Sequence, residues 1–248
     1  MSTLGEMVLD VNPAASSTSA WEEFVPTIRR WIATAAPHVV LEVGGGRHPM
    51  LTPDEARDFG VERYVVNDVS ANELAHAPEG MERAHFDIQA GPPPDSPAIG
   101  ACDLVFAQMV FEHLEDPAGA WASVHQLLRP GGTAISFHPV LFSPPFVVNR
   151  LIPERFARKV LQHFFHRRND DDYPKFPAYY RWCRASTAYM TRRLAPLGFA
   201  SVEVVPYYGH GYFERVPGLR SVDAAVARLA ERRGWTGLAS YAYVIVTR

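Results

Sequence analysis

Two hydrophobic rhythms alternate along this chain. Short runs of β-branched and apolar residues separate segments whose apolar positions return every three or four residues. Phe24, Ile28, Trp31 and Ile32 follow the possible capping box Ser19-x-x-Glu22 and predict a helix to about Thr34, with Pro26 near its first turn. Residues 38–43 are apolar on both faces, as in a buried parallel strand. Thr52-Pro-Asp-Glu55 offers a cap, a proline at the first helical position and a reciprocal glutamate, so a short helix follows to about Phe59. Residues 61–67 form a second strand ending at Asp68, 83–88 a weaker third ending at Asp87, and 102–108 a fourth. The proline-rich 90–100 stretch is a loop. A helix over 118–128 places Trp121, Val124 and Leu128 on one face, and Pro130-Gly-Gly132 turns into a fifth strand, 133–138.

From Pro139 the rhythm breaks. Aromatic residues crowd 144–183 and predict two or more helical pieces, read as an insertion over the sheet spanning 140–183. Ser186 caps a helix to Leu197-Gly198, and 200–207 is a sixth strand. Leu219, Val222, Val226 and Leu229 predict a helix over 219–233, and 240–246 is a seventh strand, nearly all β-formers. Strand alternating with helix implies a parallel sheet. The fold class is α/β: a Rossmann-like, seven-stranded, mostly parallel sheet with helices on both faces, in one domain over 1–248 with a frayed 1–16 terminus.

Composition narrows the function. The chain has 248 residues, 47% hydrophobic and 21% charged, enough apolar content for a full core. A net charge of −3 argues against a nucleic-acid partner. Cys102 and Cys183 are too far apart in sequence to suggest a metal-ligand pair and suit a reducing, cytoplasmic setting. Neither a secretory signal nor a membrane span is expected. A homodimer is compatible with the sequence and is not fixed by it.

The first strand runs into Glu42-Val43-Gly44-Gly45-Gly46-Arg47-His48-Pro49. Glycines at such a turn let a ligand lie against the backbone. A dinucleotide fingerprint needs a third glycine where Pro49 stands, and the Gly-Lys-Ser/Thr end of a phosphate loop is missing. The ligand therefore lacks phosphates. It has a ribose, because Asp68 ends the second strand 24 residues after Gly44, where an acid bonds the ribose hydroxyls. Asp87 could hold an adenine amino group while Ile88 packs on the ring, and Glu42 could meet a cationic amine. Ribose, adenine, amine and no phosphate describe S-adenosylmethionine.

Glu42-x-Gly44-Gly45-Gly46, Asn67-Asp68, Asp87-Ile88, the 102–108 strand, Phe111-Glu112-His113-Leu114-x-Asp116-Pro117 and Leu128-Arg-Pro-Gly131-Gly132 stand in the order of the motifs of class I S-adenosylmethionine-dependent methyltransferases, which this chain resembles over about 38–138. The resemblance implies that Gly44–Gly46 line the methionine part of the cofactor, with Asn67 and Asp68 at ribose, Asp87 and Ile88 at adenine, and Ala107 and Gln108 beside the sulfonium. It implies an antiparallel seventh strand. His48 departs from the family, which places glycine there.

Methyl transfer needs a positioned nucleophile, and a hydroxyl acceptor needs a base. His138, His113 and Glu112 are the candidates at the strand ends. Glu112 and His113 could instead ligate Mg, joined by the Asp170-Asp171-Asp172 run, although a solvated acidic loop explains that run more simply. Asp170, Asp171, Tyr173, Tyr179, Tyr180, Trp182, Tyr208 and His210 combine aromatic faces with carboxylates, which suits a sugar; a small core of the insertion explains the aromatics as well. The 174–183 and 209–213 segments look similar to sugar methyltransferases of polysaccharide pathways, among them the mycobacterial methylmannose polysaccharide 1-O-methyltransferases, which implies the 1-OH of a short 3-O-methylated mannoside as acceptor. The alternatives are N-, O- or C-methylation of another small metabolite, and a non-catalytic cofactor-binding protein.

Overall fold

The computed structural model describes residues 17–141, 177–208 and 219–248. Helix α1 (Ser17–Ala35) leads into β1 (Val39–Val43), α2 (Pro53–Asp58), β2 (Arg63–Asp68), α3 (Ala71–Ala75), β3 (Glu82–His85) and β4 (Cys102–Gln108). A 3₁₀ turn (Phe111–His113), α4 (Pro117–Leu127) and β5 (Leu128–Pro139) follow. The chain continues with α5 (Thr187–Leu194), β6 (Ser201–Tyr207), α6 (Leu219–Arg233) and β7 (Tyr241–Thr247).

The seven strands make one sheet in the order β3-β2-β1-β4-β5-β7-β6. Neighbours from β3 to β5 are parallel, and β7 runs antiparallel to both β5 and β6. The order reverses between β1 and β4, which opens a crevice at their C-terminal ends. Asp103 fixes the opposite end: its Oδ2 accepts the His38 and Val39 N–H groups at 2.9 and 2.8 Å, and Arg129 pairs with its other oxygen.

Each sheet face has its own core. Phe24, Ile28 and Ile32 of α1 cover Val40, Leu104, Phe106, Phe137 and Tyr243 on one side. Trp121 and Val124 of α4, with Met190 and Leu194 of α5, cover Val105, Ala134 and Val244 on the other.

The differences from expectation have local causes. Helix α1 starts at Ser17, so Pro26 lies inside it, on the exposed side away from the buried stripe. Helix α3 was not expected, although Ser70-x-x-Glu73 repeats the signal that correctly marks α2: the Ser70 hydroxyl accepts the Glu73 N–H at 3.2 Å. The Pro130-Gly-Gly132 turn is instead an irregularity inside β5. Pairing shifts between Cys102 and Leu104, Gly131 takes a φ of +78°, and a Cβ on Gly132 would lie 2.7 Å from the Cys102 carbonyl. Helix α6 forms, but Val222, Val226 and Leu229 are 61, 43 and 44% exposed, and among the described side chains of the helix Ala230 is the buried one. The expectations for 1–16 and for helical pieces between 144 and 176 lie outside the described residues; 177–186 is irregular, with a turn at 181–182.

Candidate active site

The glycine loop is pinned to β2. The Gly44 and Gly45 N–H groups both donate to the Asn67 carbonyl, at 2.8 and 3.2 Å. Gly44 and Gly46 have φ of +76° and +48°, the left-handed region that disfavours side chains. Each glycine faces a different wall. A Cβ would lie 2.6 Å from Val110 Cγ2 at Gly44, 2.8 Å from Val66 Cγ1 and 2.9 Å from Glu42 Cδ at Gly45, and 3.0 Å from Asp68 Oδ2 at Gly46. His48 is exposed and its φ is not left-handed, so this backbone does not require the family's glycine there.

Glu42 lies beneath this loop. Its Oε2 accepts the Met50 N–H at 2.9 Å and the Tyr64 hydroxyl. Burial, opposed in part by these bonds, pushes its carboxyl up to about 7. Glu42 is thus a brace between β1, β2 and the far end of the loop; the sequence alone does not show Tyr64 as its partner. Asn67 is also a brace. Its Nδ2 donates to the Ala84 and Phe86 carbonyls at 2.9 and 3.0 Å, so the side chain ties β2 to β3 rather than offering itself to the crevice.

Asp68 is half-buried at the end of β2, with Oδ1 accepting the Ser70 N–H at 2.8 Å and Oδ2 beside Gly46. Burial raises its proton affinity, and the nearby Glu73 adds to this. Asp87 stands two residues past β3, where its Oδ1 accepts the Gln89 N–H at 2.9 Å; Ile88 is buried. Ala107 is buried between Val43 and Ser136 in register, and Gln108 is partly exposed at the strand end. A glycine turn with Gly44 exposed and Gly45 and Gly46 buried, a carboxylate across from it and an apolar side chain after β3 fit a nucleoside carrying a methionine tail.

The other side of the crevice is built on β4 and β5. Met109 has a φ of +56° and donates its N–H to the Phe137 carbonyl at 2.8 Å. Past it, the Glu112 carbonyl accepts the Tyr179 and Tyr180 N–H groups at 2.7 and 3.0 Å, which docks the 177–183 segment onto the turn. Tyr180 and Trp182 are also left-handed, with φ of +53° and +62°. Such strain in non-glycine residues persists where the surroundings fix it, often at functional sites. Tyr180 is buried, Trp182 half-buried, and the Tyr179 hydroxyl donates to Glu115 at 2.6 Å.

The Glu112 side chain is 3% exposed. Its Oε2 has no hydrogen-bond partner among the described residues, and its Oε1 lies 3.7 Å from His113 Nε2. Burial pushes the carboxyl up to about 8. His113 Nδ1 lies 3.0 Å from the Pro177 carbonyl. His138 is 1% exposed, on the Trp121 face of the sheet, with Nδ1 3.4 Å from the Ser136 hydroxyl and Nε2 without a partner among the described residues. Burial pushes it down to about 4. The sequence suggests His138 at the open end of its strand; the structure buries it, because the core on this face includes Ala185, Met190 and Leu194 from far along the chain. Tyr208 is buried in the same core, not at the crevice rim. Asp170, Asp171, Tyr173 and His210 lie outside the described residues. Among the described residues no three acidic, His or Cys side chains gather as a metal site, and no helix is long and apolar enough to cross a membrane.

The buried carboxyls make stability fall with pH. Folded Glu42 and Glu112 titrate near 7 and 8, against an ordinary value of 4.5. Between these limits the folded state holds protons that the unfolded chain has released, so unfolding free energy decreases as pH rises. The expected loss between pH 5 and 8 is about 2–4 kcal/mol for each carboxyl. His138 contributes the opposite slope between 6.5 and about 4. Denaturant melts of wild type and Glu112→Gln from pH 5 to 8 check this; an equally steep wild-type and variant curve rules out Glu112 as a source.

Residues 41–136 match the model of a methyltransferase domain family. Proteins of curated function provide no match. The fold recurs in a S-adenosylmethionine-dependent methyltransferase of Archaeoglobus fulgidus, at 15% identity and a TM-score of 0.54 over 92% of this chain and 94% of that one. It recurs in another from Mesorhizobium loti, at 18% identity and 0.51 over 89% and 98%. Phosphoethanolamine N-methyltransferase 2 of Haemonchus contortus, in complex with S-adenosyl-L-methionine, matches at 14% identity and 0.51 over 85% of this chain; the match spans 48% of that enzyme. At these identities the likeness is one of fold. The family match takes in the glycine loop and β4, and the sheet around it has the fold of S-adenosyl-L-methionine-dependent methyltransferases.

Proposed function

We propose that the enzyme methylates a hydroxyl group of a small sugar or oligosaccharide, with the 1-OH of a short 3-O-methylated mannoside as the first acceptor to test. The observation that carries this is the Glu112 Oε2, buried without a partner among the described residues, on a residue three beyond Met109 whose backbone carbonyl accepts the Tyr179 and Tyr180 N–H groups. A buried polar atom without a partner is costly, and a hydroxyl donating to it relieves that cost. The half-buried Trp182, held in place beside the buried Tyr180, supplies an apolar face of the kind that packs on sugar C–H groups.

In this reading Gly44–Gly46 cradle the methionine end of the cofactor, Asp68 receives the ribose hydroxyls, Asp87 and Ile88 meet adenine, and Ala107 and Gln108 flank the sulfonium. The cofactor supplies an electrophilic methyl group. Glu112 would orient the acceptor hydroxyl and take its proton as the oxygen–methyl bond forms and the sulfonium–methyl bond breaks, leaving the neutral thioether S-adenosylhomocysteine. A carboxyl raised to about 8 is matched to that task near neutral pH, whereas His138, lowered to about 4, is a weak base. A cationic amine would also satisfy Glu112, and the assay separates the two.

Purified enzyme is offered mannosides, amines and phenols with labelled S-adenosyl-L-methionine. Turnover confined to mannosides supports the proposal; turnover of amines alone overturns it. Glu112→Gln is expected to lower kcat by roughly 10²–10⁴-fold while leaving cofactor affinity as it was. Unchanged kcat in that variant removes Glu112 as the base.

A further inference from the structure

Arg47 and Glu73 meet across the glycine loop. Arg47 Nε donates to Oε2 at 2.6 Å and Nη2 to Oε1 at 2.7 Å, a bidentate fork. The side chains are only 28% and 17% exposed, so the pair is shielded better than an ordinary surface bridge. It ties the residue after Gly46 to α3. That helix is linked in turn to Asp68 through Ser70, whose N–H donates to Asp68 and whose hydroxyl accepts the Glu73 N–H. The circuit closes at Gly46: a Cβ there would lie 3.0 Å from Asp68 Oδ2 and 3.2 Å from Glu73 Cβ.

Two carboxylates therefore crowd one glycine. Glu73 makes Asp68 harder to ionise, while Arg47 holds Glu73 below its ordinary range. Removing the Arg47 charge would leave Asp68 and Glu73 as unrelieved like charges, free to separate.

We infer that Arg47 and Glu73 are positioning residues: their fork holds Asp68 Oδ2 against Gly46, so that the carboxylate meets the ribose hydroxyls of the cofactor in one fixed geometry. This rests on the reading of Asp68 as the ribose ligand. Neither residue needs to touch the cofactor. The planar guanidinium matters as well as its charge, because a lysine cannot reproduce the fork.

The test compares two ligands by calorimetry, S-adenosylhomocysteine and its 2′-deoxyribose analogue. Wild type should prefer the intact ribose by roughly tenfold. Asp68→Asn should abolish the preference. Arg47→Gln and Glu73→Gln should shrink it to about two- or threefold, and the charge-exchanged pair Arg47→Glu with Glu73→Arg should restore much of it. A purely structural role would weaken both ligands alike; an unchanged ratio in the two glutamine variants overturns the strap while the ribose reading stands. A ratio unchanged in Asp68→Asn overturns the ribose reading, and the strap with it. If the glutamine variants do not fold, Arg47→Lys decides: an intermediate ratio supports the strap, and the wild-type ratio overturns it.

Discussion

Gly46→Ala is expected to weaken S-adenosyl-L-methionine binding by roughly ten- to a hundredfold, from the loss of charged hydrogen bonds worth about 1.5–3 kcal/mol, and to cost folding a smaller left-handed backbone penalty of about 1–2 kcal/mol. The φ of +48° disfavours any side chain, and the new methyl would press on Asp68 Oδ2 and Glu73 Cβ together. Neither group can yield alone, because Ser70 and Arg47 hold them. The effect should fall on affinity more than on folding, since the residues displaced line the crevice and not the core. Calorimetric titration beside a thermal melt checks this. Wild-type affinity in a folded Gly46→Ala protein would show that the loop does not cradle the cofactor.

The second large effect is on stability. Phe137→Ala should lower unfolding free energy by about 3–5 kcal/mol and Tm by about 10 °C. Phe137 is fully buried near the C-terminal end of β5, and its ring meets those of Phe24, Tyr241 and Tyr243 at 5.5, 5.4 and 5.0 Å. These belong to α1 and β7, so the cavity would loosen the first helix and the last strand of the described fold at once. Phe137→Leu keeps most of the volume and should cost less than half as much. A smaller loss from Phe137→Ala than from Phe137→Leu would contradict this account of the core.

Much of this molecule is legible in its residues because the signals are local. The capping box at Thr52, the apolar run of β4 and the acid at the end of β2 each predict a feature that the structure contains. What could not be read depends on distant partners. Glu42 reads in sequence as a cofactor residue, and only the fold adds that Tyr64 and Met50 donate to its Oε2; likewise only the fold shows the Asn67 amide donating to the Ala84 and Phe86 carbonyls. His138 ends its predicted strand, and only the fold shows that the core on its face of the sheet includes Ala185, Met190 and Leu194 from after the insertion. Periodicity over 219–233 establishes the helix α6 but not what its apolar stripe meets, and that stripe is largely exposed. His48 departs from a motif, yet the backbone at that position does not need the residue the motif prescribes.

The shared acceptor at Asn67 has a kinetic consequence. Two successive amides, Gly44 and Gly45, hang from a single carbonyl on the neighbouring strand. Neither can detach without loosening the other, so their exchange with deuterated solvent should proceed at one common rate, set by a single opening of the loop. In the reading proposed above, a bound cofactor lies against this turn, so its presence should slow the exchange of both amides together.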